Sequence, residues 1–132
     1  MLQLIYVSSA TQVMDQREVD GILRVSRRNN ARDHLTGMLY ADERRFLQVL
    51  EGEDAAVATT IERIKADKRH RALVVLSKRV VAEREFGAWE MAQAAPGHDA
   101  DALMARITLL TAAAAPGVRA TFEGFVATRR AA

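Results

Sequence analysis

Residues 46–50, Phe-Leu-Gln-Val-Leu, constrain this chain more than any other stretch. In an extended strand, successive side chains point to opposite faces. Phe46, Gln48 and Leu50 therefore share one face, and Leu47 and Val49 the other. Apolar groups on both faces demand a central strand covered on both sides. The flanking segments supply the covers. Residues 2–8 (LQLIYVS) read as a first strand. Within 15–30, Val19, Ile22, Leu23 and Ser26 recur at helical spacing, with Asp15 as N-cap or first-turn acid. Leu35–Tyr40 and Phe46–Leu50 flank the charged turn 41–45, a β-hairpin whose turn lacks Gly and Asn and so suits a type I geometry in a longer loop. Glu51-Gly52-Glu53 reads as the break after this strand. Val57, Ile61 and Ile64 mark a second helix running to about Asp67, Ala72–Val81 a fourth strand, and Glu85–Gln93 a weaker fifth.

The order β-α-β-β-α-β-β is packed most economically with two helices on one face of the sheet, which predicts a ferredoxin-like α+β fold. Composition shifts at Ala94-Ala-Pro-Gly97. Beyond it, helical stripes run over 99–114 (Leu103, Ile107, Leu110) and 116–130 (Val118, Phe122, Phe125, Val126), separated by Pro116-Gly117. These are the uncommitted apolar stripes of the chain. They are expected to cap the sheet face that carries Gln3, Ile5, Val7, Leu47 and Val49. The expected division is a core over 1–93 and a helical cap over 94–132.

Composition narrows the function. With 132 residues, 49% hydrophobic and 27% charged, the chain is globular and long enough for one real core. Nineteen Lys and Arg against 17 Asp and Glu leave a net charge of +2, and no long basic run suggests a nucleic-acid partner. The absence of cysteine excludes disulfides, thiolate metal sites and thiol catalysis, and fits a reducing, cytoplasmic setting. No apolar run approaches the ~18 residues of a membrane span. The N-terminus alternates as a strand does and lacks the basic start of a signal peptide. His34, His70 and His98 show no metal-ligand spacing, and there is no HExxH, phosphate loop, GxGxxG or nucleophile elbow. An enzyme is therefore not expected. Glu51 and Glu53 flank a turn, where solvated capping is the simpler role.

Some polar residues sit where core is expected. Gln48 lies mid-strand among apolar neighbours, and an unpaired buried amide costs about 1–3 kcal/mol. It sits at a frayed edge, pairs with backbone, or faces a polar ligand. Leu4, Tyr6 and Ser8 share one face of the first strand, and Ile22, Ser26 and Asn30 form one stripe of the first helix. Singly, Tyr6 is an ordinary core tyrosine, Ser26 a helix serine bonded to a carbonyl, and Asn30 a C-terminal cap. Jointly they suggest a planar polar ligand between sheet and helices. The cluster Arg24, Arg27, Arg28 and Arg32 complements the helix dipole whether or not it meets a phosphate.

The segments LIYVS (4–8), SRRNNARDHLTGMLY (26–40), FLQVLEG (46–52) and RIKADKRH (63–70) together resemble the BLUF family, blue-light sensors using flavin. The resemblance covers residues 1 to about 93. It implies a ferredoxin-like domain holding FAD, or FMN, non-covalently between the two helices. Tyr6 matches the photoactive tyrosine and Gln48 the glutamine between it and the flavin. Asn30 matches the asparagine at the flavin C4 carbonyl, Ser26 and Ser8 two pocket serines, and Ile22 and Ile64 the aliphatic residues on either side of the ring. Arg32, Asp67, Arg69 and His70 fall where the family contacts the ring edge, ribityl chain or phosphate. Trp89 and Met91 match the pair thought to relay the signal. His34 departs from the family, standing where many members have Gly. The implied function is a non-enzymatic photoreceptor that signals to an effector protein in trans, or by homo-oligomerising. The alternative is a light-inert flavin or ligand-binding module. An RNA-binding module is disfavoured by the missing aromatic stacking pair, and a flavin redox enzyme by the missing nicotinamide fingerprint.

Overall fold

The helix that follows the first strand starts where its cap dictates. Asp15 stands outside the helix in an extended conformation, and its carboxylate accepts the Glu18 N–H at 2.8 Å. The computed structural model describes residues 1–41, 43–85, 92–93, 98–112 and 116–131. The elements are β1 (Leu2–Ala10), α1 (Gln16–Arg32), β2 (Met38–Ala41), β3 (Arg45–Gly52), α2 (Asp54–Ala66), β4 (His70–Val80), β5 (Ala92–Gln93), α3 (His98–Thr111) and α4 (Pro116–Ala131). The sheet runs β4-β1-β3-β2-β5, antiparallel throughout except for the parallel β2–β5 contact. This is the ferredoxin-like α+β arrangement that the element order predicts.

The two apolar faces of β3 are covered as its alternation requires. On one side Ile5, Val7, Leu47 and Val49 pack with Met104, Ile107, Phe122 and Phe125 of α3 and α4. Tyr40 meets Phe125 edge-on at 5.7 Å, and the Arg45 guanidinium lies 4.5 Å above the same ring. On the other side Leu2, Leu4, Tyr6 and Leu50 pack on Val57 and Ile61 of α2, while Phe46 and Leu39 pack on Val19, Ile22 and Leu23 of α1. The sheet is thus a filling between two helical layers.

Several boundaries differ from the sequence reading. Glu51-Gly52 does not end the third strand: β3 runs through Gly52, and Glu51 is buried rather than solvated. A Cβ on residue 52 would come within 2.5 Å of Leu35 Cδ2 and 3.3 Å of the His34 carbonyl, so glycine is required by close approach, not by a break. α2 starts at Asp54 and β4 already at His70. α1 continues to Arg32, so Asn30 lies inside the helix instead of capping it. His34 takes φ 55°, a left-handed conformation that explains why glycine suits this position better. Of the expected fifth strand Ala92–Gln93 form β5 and Glu85 is described as a bend outside any strand; residues 86–91, Trp89 and Met91 among them, lie outside the described residues.

Candidate functional site

Antiparallel register sets Tyr6 of β1 directly opposite Gln48 of β3. The Tyr6 hydroxyl donates to Gln48 Oε1 at 2.5 Å, and both side chains are buried. On its other flank β1 slips register against β4 between Ile5 and Tyr6 and again between Val7 and Ser9. Such bulges redirect side chains locally, and these bracket the tyrosine. Burial, with a smaller contribution from the negative charge of Asp67, pushes the Tyr6 phenol well above its ordinary value. The phenol therefore stays protonated, and its proton has one short path, to the Gln48 carbonyl.

A cavity of about 190 Å³ opens beside this pair, between the sheet and helices α1 and α2. Tyr6, Leu39, Phe46 and Gln48 form its floor. Ile22, Ser26 and Asn30 line it from α1, where helical periodicity puts positions four apart on one face. Thr60, Arg63 and Ile64 line it from α2, and Asp67, Arg69 and His70 from the connection into β4. Asn30 Nδ2 and Thr60 Oγ1 are buried with no hydrogen-bond partner. Unpaired groups of this kind cost about 1–3 kcal/mol each, so a polar group or water entering the cavity would find bonding positions ready at both.

The rim is fixed electrostatically. Arg69 donates to both Asp67 oxygens, the shortest contact being 2.6 Å, and its backbone N–H adds a bond of 2.9 Å. These bonds hold the Asp67 carboxyl down at about 2. His70 Nδ1 lies 2.8 Å from Ser8 Oγ, and its ring lies 4.2 Å from that of Phe46. Burial lowers the imidazole, outweighing the opposing pull of Asp67, so the neutral form is favoured.

The structure therefore gathers Tyr6, Gln48, Ile22, Ser26, Asn30, Ile64, Asp67, Arg69 and His70 around one cavity. Ser8 reaches it through His70 rather than lining it. Arg32 does not line it; its exposed guanidinium pairs with Asp33, because α1 extends past Asn30 and turns residue 32 outward. Arg24, Arg27 and Arg28 are exposed as well. Sequence reasoning missed Thr60, Asn29, Arg63 and Phe46. Thr60 had a usable signal, since Thr60 and Ile64 repeat on α2 the i, i+4 polar–apolar pairing of Ile22 and Ser26 on α1.

Could the site hold a flavin? The ring has two apolar faces and one hydrogen-bonding edge. Ile22 and Ile64 line the cavity from α1 and α2, and Asn30 Nδ2 and Thr60 Oγ1 await partners, so the residues fit.

Comparison with known proteins agrees. The family described as "BLUF: Sensors of blue-light using FAD" matches residues 1–92. Photoactivated adenylate cyclase subunit beta of Euglena gracilis is 34% identical over 83 residues, 63% of this chain and 10% of that protein. This chain thus spans about a tenth of the curated relatives it matches. Among solved structures, a bacterial light-regulated adenylyl cyclase is 29% identical with a TM-score of 0.67, covering 83% of this chain and 34% of that one. The dark-state structure of BlrB, a BLUF protein, is 27% identical with a TM-score of 0.64, covering 77% of this chain and 83% of that one. A match over most of the chain, carried by the same strands and helices that build the cavity, means that the chain belongs to the BLUF family of sensors of blue light using FAD.

Proposed function

We propose that this protein is a blue-light photoreceptor whose switch is the Tyr6–Gln48 hydrogen bond. One observation carries the reading: Gln48 accepts from a buried, protonated tyrosine while lining a cavity in which two further buried polar atoms, Asn30 Nδ2 and Thr60 Oγ1, lack partners. Bound flavin supplies blue-light absorption and a one-electron acceptor. The protein's part follows from its residues. An electron drawn from Tyr6 makes the phenol strongly acidic, and its proton passes along the 2.5 Å bond to Gln48 Oε1. The Gln48 amide carries an acceptor and two donors on one carbon, so rotation or tautomerisation exchanges what it offers the cavity. Glu or Leu at this position offers no such exchange.

Asn30 and Thr60 would hold the polar edge, Ile22 and Ile64 the ring faces, and Ser26, Asp67, Arg69 and His70 the remaining polar contacts, with Ser8 orienting His70. FAD is the favoured flavin, in keeping with the family's description; a Klebsiella pneumoniae BlrP1 structure, 31% identical, was solved with FMN. Residues 1–93 form the flavin-binding core and 94–132 the output cap. The chain itself has no catalytic role and acts in the cytoplasm on a separate effector or on another copy of itself. The relatives named as adenylate cyclases support an effector outside this domain. Among the described residues no helix is long and apolar enough to cross a membrane.

A visible spectrum before and after blue light tests the proposal. A yellow protein whose absorption shifts reversibly to the red, and whose flavin is released intact on denaturation, is expected. A flavin-loaded protein with no shift would leave only the light-inert alternative.

A further inference from the structure

Three residues along the same two strands, on the opposite sheet face, lies a second polar rung. Gln3 of β1 pairs in register with Glu51 of β3, as Tyr6 pairs with Gln48. Three residues of strand span about 10 Å and reverse the face. Gln3 and Glu51 are fully buried. Gln3 Nε2 donates to Glu51 Oε2 at 2.7 Å, and the Glu85 backbone N–H donates to the same oxygen at 2.9 Å. Thr36 Oγ1 approaches Glu51 Oε1 at 3.4 Å and accepts from Arg84 at 2.7 Å. Arg84 also donates to the Glu51 carbonyl at 2.8 Å. Glu51 therefore clamps the segment that leaves β4 onto the end of β3.

The clamp reaches the cap. The Glu85 carboxylate pairs with Arg79, whose Nε donates at 3.0 Å to Gln3 Oε1, closing the ring of contacts. Glu85 Oε1 also receives Arg106 of α3 at 3.3 Å. One connected set of hydrogen bonds thus joins β1, β3, β4 and α3. We infer that Glu51 is a positioning residue for signal output: it ties the β1–β3 pair that carries Tyr6 and Gln48 to α3 through Glu85 and Arg106. The inference rests on the photoreceptor reading for its signal, and on geometry alone for the anchoring.

The mechanism is mechanical coupling through a connected network, buried at Gln3 and Glu51 and part-exposed at Arg79, Glu85 and Arg106, whose buried end holds one arrangement and resists partial ones. A displacement of the β1–β3 pair when Gln48 rearranges carries the Gln3–Glu51 rung along as a unit, and with it the seat of Glu85 and Arg106. Glu51→Gln keeps the size of the side chain but presents an NH2 group where the network has only an accepting oxygen. Arg106→Ala cuts the last link from the half-exposed surface of α3 and leaves the core intact.

The test uses the full-length, flavin-loaded protein and both variants, with visible spectra and hydrogen exchange in darkness and under blue light. Both variants should bind flavin and shift to the red as the parent does. In the dark, exchange over 98–112 should quicken by about tenfold while 54–66 stays unchanged. The light–dark difference over 98–112 should shrink by at least about threefold, a loss that weaker packing alone would not produce beside an intact red shift. Parent-like dark exchange with a full light–dark difference in both variants would overturn the inference. So would loss of the red shift in Glu51→Gln beside a fully normal Arg106→Ala, since Glu51 would then act on the flavin pocket. If Glu51→Gln does not fold, Arg106→Ala carries the same expectations. A parent protein without a red shift defeats the photoreceptor reading, and dark exchange still decides the anchoring.

Discussion

Asn30→Ala should act with opposite signs on the empty and the flavin-loaded protein. The Asn30 amide nitrogen is buried without a partner, as is the Thr60 hydroxyl. An unsatisfied buried polar group costs about 1–3 kcal/mol, and alanine is a better helix former than asparagine by about 0.5 kcal/mol. Because residue 30 borders a cavity, truncation enlarges an existing space rather than collapsing close packing. The apoprotein should therefore be unchanged or more stable, by up to about 2 kcal/mol after discounting lost contacts. Flavin affinity should fall, because the ligand's acceptor would enter the cavity with no donor. A loss of about 1–3 kcal/mol corresponds to a Kd weaker by about 5- to 150-fold. Thr60→Val should show the same pair of signs with a smaller affinity loss, being isosteric but for the hydroxyl. Urea denaturation of the apoprotein and quenching of flavin fluorescence on titration measure the two effects. An apoprotein destabilised by more than about 1 kcal/mol, with affinity unchanged, would show that these groups serve the fold and not a ligand.

Other consequences are as direct. Tyr6→Phe and Gln48→Leu should each abolish the red-shifted state in difference spectra while flavin stays bound; a normal photocycle in Tyr6→Phe would end the proposed switch. Gly52→Ala should destabilise by about 1–3 kcal/mol in urea melts, since its Cβ would meet buried Leu35 and the His34 carbonyl. Phe125→Ala should cost about 3–5 kcal/mol by removing a buried ring together with its contacts to Tyr40 and Arg45. His70 is lowered from the ordinary imidazole value of 6.5, so below that pH the unfolded chain binds a proton before the folded one does. Stability should therefore decline as pH falls through 6.5, and His70→Gln should flatten that part of the urea-midpoint profile. Asp67 contributes stability above 3.8 that is lost as pH falls toward 2, a separate and lower window.

What the residues made legible by themselves followed from period, while the places of Ile64, Asp67, Arg69 and His70 beside the cavity came from the family resemblance. Alternation along 46–50 already required covers on both faces of the third strand, and the two leftover helical stripes identified the second cover. The i, i+4 stripe of Ile22, Ser26 and Asn30 reached the cavity for the same reason. Properties created by distant partners were not legible. A glutamate before a glycine at a strand end looks like a solvated cap, and it takes neighbours 15, 34 and 48 residues away to make Glu51 a buried acceptor. Two extra residues of α1 were enough to send Arg32 to Asp33 and to put Asn30 inside the helix. His34 was visible only as a departure from glycine; its left-handed backbone supplies the reason.

The two polar rungs of the β1–β3 pair also explain why one sheet can be both rigid and switchable. Around Gln3 and Glu51, the donors and acceptors described above find partners within the protein. A satisfied network in a low-dielectric interior holds a single arrangement, because moving any member strands another. Around Tyr6 and Gln48 the account is incomplete: the pair is bonded to each other, yet neighbouring Asn30 and Thr60 are not satisfied. Of these two rungs it is this one whose bonding a ligand would complete, and under the proposed switch a reoriented amide would find its alternative partners there. A Gln48 rearrangement would therefore change the contacts of one rung while the other, about 10 Å along the same strands, would resist internal change and move as a unit. Under the proposed switch, a rigid rung next to a rearranging one would convert a local exchange of donor and acceptor into a displacement of the segment and helix fastened to it.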